Sequence, residues 1–510
     1  MDTQFAALDW LVVGLYLLVM LGGGWAFARL RREELGEYFL AGRSVPAWLA
    51  AVSVLAATQS AATFLGVPDQ SFRGDLAYLG AVISPCIAAL FVAHVLIPRF
   101  YAMRATTVYE LLERRFDARA MRWAGGMFLV GRVLAGGARV YLAAIALAMV
   151  AFSSVSAPAI LSAAAMVMAA AFLFTFHGGL KAVIWNDLIQ FTVYTGSAVA
   201  VLAFLYLSIP ASNAEILAAL SAAPGGVDKL RLLDWSLDLS HPFSVLAMMT
   251  GLFLLNVANF GLDQDTTQRL LASPDARTGA RGLILSALGA IPIIAVFMAV
   301  GLLLHIFYQR PELMGESHRV ASSFSGEKVT VFVHYILTQV PPGLRGLVTV
   351  GVTAAAVATT NSALNAMSSV MITDFYRPWK EARGGAGGPH YVRAGRWGMG
   401  IVAVAMFGTA ALSFYWQRYT DMPLLEFALQ VMVFAYAGLL GVYLVAVFTG
   451  RGNTLSVIAA LLGGFVTVLL LQPFMIGPAG LAFPYQLCIG TAVAALICAI
   501  PPGSGQALRR

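Results

Sequence analysis

Apolar stretches of 18 residues or more, nearly free of charge, recur along this chain from end to end. Each is long enough to cross a hydrocarbon core about 30 Å thick as a helix. Inside such a core, only helices and closed barrels satisfy every backbone amide. Composition agrees: 59% of the 510 residues are hydrophobic and 11% charged, against roughly 25% charged in soluble proteins. No polar stretch exceeds about forty residues, so nothing remains to build a soluble domain. An all-α polytopic membrane protein is expected, a single transmembrane domain over 1–510 with its function among the helices.

Apolar runs, read against glycine, proline and charge, place thirteen spans: 8–28, 46–67, 76–97, 124–152, 158–176, 182–208, 243–262, 282–307, 346–372, 397–414, 424–448, 455–471 and 482–500. Lys and Arg between them fall very unevenly. One side carries 22, from Arg29, Arg31, Arg32 and Arg43 to Arg509 and Arg510, and the other carries 8, among them Arg73, Lys229, Arg310 and Arg345. Positive charge stays in the cytoplasm, so the N-terminus is expected outside and the C-terminus cytoplasmic, in a plasma membrane (a bacterial inner membrane). The net charge of +7 thus reads as topology and not as nucleic-acid binding. The first apolar run follows Asp2 and Asp9 and leads into further spans, which does not fit a cleavable signal peptide. Segment 329–340 is apolar but too short to cross, and 107–116 mixes Leu111, Leu112 and Phe116 with Glu110, Glu113, Arg114 and Arg115. Both are expected to lie on the surface as interfacial helices, the arginines solvated.

Three spans carry small and polar residues at depth, where lipid contact is costly. They are the second, with Thr58-Gln59-Ser60 and Thr63; the seventh, with Asn256, Asn259 and Gly261; and the ninth, with Thr359-Thr360-Asn361-Ser362, Asn365, Ser368 and Ser369. Small-residue packing with hydroxyls bonded to their own backbone accounts for any one of these; three together indicate a polar pathway. Asp187 in the sixth span and Arg132 and Arg139 in the fourth add charge at depth, which marks either function or a structural ion pair. Arg132 is near enough to its span's end to snorkel. No Walker loop, His-Glu-x-x-His or potassium-filter sequence is present, and no enzymatic role is expected. Cys86, Cys488 and Cys498 lie in or beside apolar spans, so neither a disulfide framework nor a zinc cluster is expected.

Gly178-Gly179-Leu180-Lys181-Ala182-Val183-Ile184-Trp185-Asn186-Asp187-Leu188-Ile189-Gln190 resembles the Gly-Gly-x-x-x-Val-x-x-x-Asp-x-x-Gln signature of the sodium/solute symporter family. Asp263-Gln264-Asp265-Thr266-Thr267-Gln268-Arg269 is similar to that family's segment after the seventh span. Gly438-Leu439-Leu440-Gly441 is similar to its eleventh-span run, and Thr373-Asp374-Phe375-Tyr376 to the end of its ninth. The resemblance covers almost the whole chain. It implies a leucine-transporter-like (LeuT-like) core of two five-helix inverted repeats, here 46–208 and 243–448, with 8–28, 455–471 and 482–500 peripheral. The first helix of each repeat would be broken at the midplane, freeing carbonyls for a cation.

The resemblance further implies sodium (Na+) bound by the carbonyls of Ala56, Gln59 and Ala355 and the hydroxyl of Thr359. Ala358 stands where many members have a second hydroxyl. Asp187, Asn361 and Ser362 map to a second sodium or to a gating network. Thr58, Ser60, Thr63, Asn256, Phe260 and Gln430 map to the solute site, with Arg139 as a possible reader of a carboxylate. Sodium-coupled uptake of a small organic solute by a monomer in the bilayer is therefore expected, the solute a carboxylate in preference to a neutral sugar or zwitterionic amino acid. A channel on the same scaffold is one alternative. A membrane sensor is another, although only 501–510 follow the last span.

Overall fold

The computed structural model describes residues 5–28, 35–152, 154–223, 228–314, 331–420, 423–472, 475 and 481–501. Arg29, Arg31, Arg32, Arg319, Lys328, Arg509 and Arg510, all used in the charge partition, lie outside them. The principal helices in chain order are α1 (Ala7–Ala28), α2 (Ala47–Thr58), α3 (Ala61–Arg73), α4 (Ala77–Ala102), α5 (Ala118–Phe152), α6 (Ala157–Phe176), α7 (Gly179–Leu207), α8 (Val245–Gly261), α9 (Gln264–Leu271), α10 (Ala276–Gln309), α11 (Val331–Thr338), α12 (Leu344–Glu381), α13 (Gly388–Thr420), α14 (Leu424–Phe448), α15 (Thr454–Leu470) and α16 (Phe483–Ala499). Among the described residues, eight helices are long and apolar enough to cross a membrane, and the count is ten when each of two bent pairs is one span. The other expected crossings fall on the shorter apolar stretches of α1, α15 and α16.

The bends lie where two polar runs occur. α2 and α3 meet at 67° and α8 and α9 at 52°. At the first bend Gln59 and Ser60 are extended, and Ser60 opens α3 through a capping box: its hydroxyl accepts from the Ala62 amide at 3.2 Å while its own amide donates to the Thr63 hydroxyl at 3.4 Å. At the second bend Asp263 is the cap, accepting from the Asp265 amide at 3.0 Å. Polar residues at depth are thus used to restart helices whose backbone would otherwise be unsatisfied.

α12 and α14 are buried almost throughout and form the middle of the molecule. The start of α12 is held by α1: Asp9 accepts from the Gly343 and Gly346 amides, both at 2.8 Å, and pairs with Arg345 at 2.8 Å. The turn between α6 and α7 needs the signature glycine, because Gly179 has φ +60° and a Cβ there would sit 2.8 Å from the Tyr38 carbonyl. In the loop before α8, Lys229 donates to the Phe72 and Gly74 carbonyls at 2.9 and 2.7 Å and closes the end of α3. Burial pushes its ammonium pKa down to about 8.

One expected surface helix and one expected solvated arginine are corrected. α11, within expected segment 329–340, is buried, its Phe332 stacked on Phe64 of α3 at 5.6 Å. Its apolar residues run around the whole helix, so a core site buries more of them than an interface can. Helix Glu110–Arg115 is amphipathic, burying Leu111 and Leu112 and exposing Glu113 and Arg114. Its Arg115 is buried instead of solvated and donates to the Thr449 and Arg451 carbonyls just beyond α14, where a cation meets the negative end of the helix.

Gly136 and Gly137 let α5 press against α13: a Cβ on Gly137 would lie 2.0 Å from the Thr409 hydroxyl and 2.8 Å from the Ala410 amide. Gly137→Val is therefore expected to force these helices apart at a cost of about 1–3 kcal/mol. A lowered unfolding temperature of the purified protein, with reduced solute uptake by what remains folded, is the expected outcome.

Candidate substrate and cation site

The first bend opens onto a cavity of about 130 Å³; a single water needs about 10–15 Å³ on the same measure, so the space suits a small organic molecule. Thr58, Gln59, Ser60 and Thr63 line it from the bend, Arg139 from α5, Asn256, Asn259 and Phe260 from α8, Ser286 from α10, and Leu425, Leu429 and Met432 from α14. Six expected solute-site residues are thus brought together. Gln430 is not among them: it points away from the cavity toward α15 and α16, donating to Gln472 at 2.5 Å, and Gln472 donates to Gln486 at 2.9 Å. Successive residues of one helix face different sides, and the cavity side of α14 is taken by Leu429 and Met432. Asn259 and Ser286 join the lining without having been expected there. Asn259 was visible in the seventh-span polar run; Ser286 had no sequence signal beyond being polar.

Polar groups on the wall are partly committed. Thr58 donates to the Val54 carbonyl at 2.9 Å, Ser286 to Leu283 at 2.7 Å, and the Asn256 amide to Leu252 at 2.8 Å. These hydroxyls keep lone pairs for a donor in the cavity. The Gln59 side-chain oxygen is buried without a partner among the described residues. Arg139 contacts the Met432 sulfur at 3.2 Å, and among the described residues no carboxylate lies within ion-pair distance of it.

Close to the bend, α12 packs on both α2 and α3. The Ser60 amide, which would bond the Ala56 carbonyl in a continuous helix, instead reaches Thr63; the Ala56 carbonyl is thereby released from its helical donor. On α12, the Thr359 hydroxyl donates to the Ala355 and Ala356 carbonyls at 3.0 and 3.1 Å, so its oxygen keeps lone pairs for a cation. Neutral oxygens from carbonyls and a hydroxyl suit a hard alkali cation.

Beyond the cavity, charges form a buried chain. Arg132 pairs with Asp263 at 3.2 Å and with Asp265; Arg269 pairs with Asp265 at 2.7 Å and Asp187 at 3.1 Å. Ser53 links the last two, receiving the Arg269 Nε–H at 2.8 Å and donating to Asp187 at 2.5 Å, and the Ser362 hydroxyl accepts from Arg269. Tyr436 of α14 donates to Asp263 at 2.5 Å. Arg132 therefore does not snorkel, because two aspartates meet it at depth. The counter-charge of Asp187 is Arg269, not Arg139. Asn361 lies apart from Asp187 and Ser362: with its amide nitrogen as donor, it reaches Ala171 at 2.8 Å and Thr175 at 3.1 Å on α6. Arg269 and Asp265 stand in a quoted motif at helical i, i+4 spacing, the one signal that could have marked them as a pair.

A model of the sodium:solute symporter family matches residues 38–464. The chain belongs to that family. Relatives include the sodium/sialic acid symporters of Aliivibrio fischeri (NanT, 27% identical, covering 92% of this chain and 88% of that one) and Proteus mirabilis (SiaT, 26%, covering 91% and 90%). The sodium/glucose cotransporter of Vibrio parahaemolyticus is 25% identical, covering 89% and 84%. A solved Na+-coupled sialic acid symporter, in a substrate-bound outward-open state, shares the fold with a TM-score of 0.83 and 23% identity over 99% of this chain and all of that one. Closed Mhp1, a nucleobase-cation-symport-1 family transporter, has a TM-score of 0.53 and 16% identity, covering 92% and 96%. The symporter is thus a multi-pass membrane protein with a LeuT-like fold, and sodium is its coupled ion.

Breaking one member of a buried ion chain strands its partner, at about 3–5 kcal/mol. Arg269→Met is expected to lower stability by that order. Adding Asp187→Asn to it should recover part of the loss, read as a non-additive double-mutant cycle in thermal unfolding.

Proposed function

We propose that this symporter carries a carboxylate-bearing, hydroxylated small molecule into the cell by alternating access, with Arg139 holding the carboxylate. One observation carries the proposal: a guanidinium on the cavity wall with no carboxylate partner among the described residues. A cation so placed needs an anion from the solute, and a planar bidentate pair is the strongest it can form. Thr58, Ser60, Thr63 and Asn256 offer hydrogen bonds to hydroxyls, and Phe260 an apolar face. Two relatives named sodium/sialic acid symporters support an acidic, sugar-like solute. The relative named a sodium/glucose cotransporter supports a neutral sugar as the second reading.

Sodium is assigned to the carbonyls of Ala56, Gln59 and Ala355 and the hydroxyl of Thr359, supported by the carbonyl freed at the bend. Asp187 and Ser362 are assigned to the charge chain of Arg269 and not to a second sodium, with Asn361 as packing on α6. The repeats 46–208 and 243–448 form the moving core, in a monomer with its N-terminus outside, supported by the 22 to 8 bias of Lys and Arg.

Uptake into proteoliposomes under a sodium gradient tests the solute. Small hydroxy acids should compete and their amides and neutral sugars should not. Arg139→Gln should weaken the acids about thirty-fold, equivalent to about 2 kcal/mol. Equal competition by sugars would favour the neutral-solute reading. For sodium, Thr359→Ala should raise the half-saturating concentration roughly tenfold, about 1.4 kcal/mol, with folded protein unchanged. Sodium dependence should be hyperbolic; a Hill coefficient near two would return Asp187 to a second cation site.

A further inference from the structure

Between α6 and α13, away from the solute cavity, runs an open crevice of about 400 Å³ lined by Met168, Phe172, Gly400, Ala403, Val404 and Phe407 among others, all apolar. Gly400 forms part of its wall, where a Cβ would only touch Phe172, at 3.7 Å. One end of the crevice is marked by charge. Phe172 packs on Phe176 at 5.3 Å, and the Arg396 guanidinium lies over Phe176 at 5.6 Å, one turn of α13 before Gly400. The Arg396 guanidinium reaches the buried Tyr38 hydroxyl, but its Nε–H is buried with no hydrogen-bond acceptor, and among the described residues Arg396 has no carboxylate partner. Next to it Trp397 is 72% exposed, and Trp379 near the end of α12 is 51% exposed. Exposed tryptophans with arginines at a span's end mark the headgroup level of a bilayer.

We propose that this crevice and Arg396 form a binding site for an anionic phospholipid of the surrounding bilayer. One acyl chain fills the groove between Phe172 and Phe407, and the phosphate accepts from the Arg396 guanidinium. An apolar slot at hydrocarbon depth continuous with an under-bonded cation at headgroup depth has the two-part chemistry of one lipid molecule. Basic sites between membrane helices recognise acidic headgroups in this way. A neutral lipid would fill the slot but leave the net charge at Arg396 uncompensated. The lipid would join α6 to α13, the helix on which α5 and Arg139 rest, and so stabilise the scaffold without entering the solute path.

The test is thermal unfolding of the purified, delipidated symporter in detergent, titrated with phosphatidylglycerol, phosphatidylcholine or glycerol 1-phosphate. Phosphatidylglycerol should raise the unfolding temperature saturably, phosphatidylcholine much less, and glycerol 1-phosphate not at all. Arg396→Gln should weaken the phosphatidylglycerol effect about fivefold, equivalent to about 1 kcal/mol for one interfacial charge. Gly400→Leu, which fills the slot and leaves Arg396 in place, should abolish it. Sodium-driven uptake by each variant reports that it is folded, and if Arg396→Gln fails that control, Gly400→Leu and Val404→Trp decide. Equal stabilisation by both phospholipids, or an effect that survives filling the slot, would overturn the proposal.

Discussion

The structure hangs on a requirement of the bilayer: a charge taken to hydrocarbon depth must meet an opposite charge, and a backbone amide there must meet an acceptor. The chain from Arg132 through Asp263, Asp265 and Arg269 to Asp187 meets the first demand and joins α5, α9 and α7, with Ser53 of α2 and Ser362 of α12 bonded into it. A buried ion pair adds little net stability over a well-packed apolar pair, yet losing one partner is costly. Its contribution is therefore to fix which helices are neighbours. α9, a half-helix of eight residues, is placed by these charges together with its buried Leu270 and Leu271.

The second demand shapes the cavity. Interrupting α2 and α3 at Gln59 and Ser60 leaves backbone groups that a continuous helix would pair, and the capping box satisfies some of them while leaving the Ala56 carbonyl turned loose. Polarity at depth is thus made from backbone as well as from side chains, which suits a cation that must bind and leave. Arg139 differs from Arg132 in this respect. Both lie on α5 two turns apart, but Arg132 meets aspartates across its helix interface and Arg139 meets the cavity. The same residue type thereby serves as a structural tie and as a candidate reader of charge.

Much was legible in the sequence because it depends on the chain locally. Span length and apolarity set the helices, and the polar runs at 58–63 and 256–261 lie at and just before the two bends that the resemblance implied. The motifs around Asp187, Asp263 and Gly438 carried the family. Six of the seven expected solute-site residues line one cavity because they cluster at or beside the bends or on the helix that faces them.

Partners across space were not legible. Asp187 meets Arg269 over a separation of 82 residues, Asn361 turns to α6, Gln430 turns to Gln472, and α11 is buried against Phe64 instead of resting on the surface. Each of these depends on the rotation of one helix against another, which hydropathy and spacing leave undetermined when a helix is apolar on every side. The sequence by itself determined that the chain must be a bundle of membrane helices with polar residues at depth, and the family resemblance added the two breaks. Tertiary packing decided which buried charges neutralise each other and which one, Arg139, is left facing the cavity, because burial selects the pairing that leaves the fewest charges and hydrogen-bonding groups unmet.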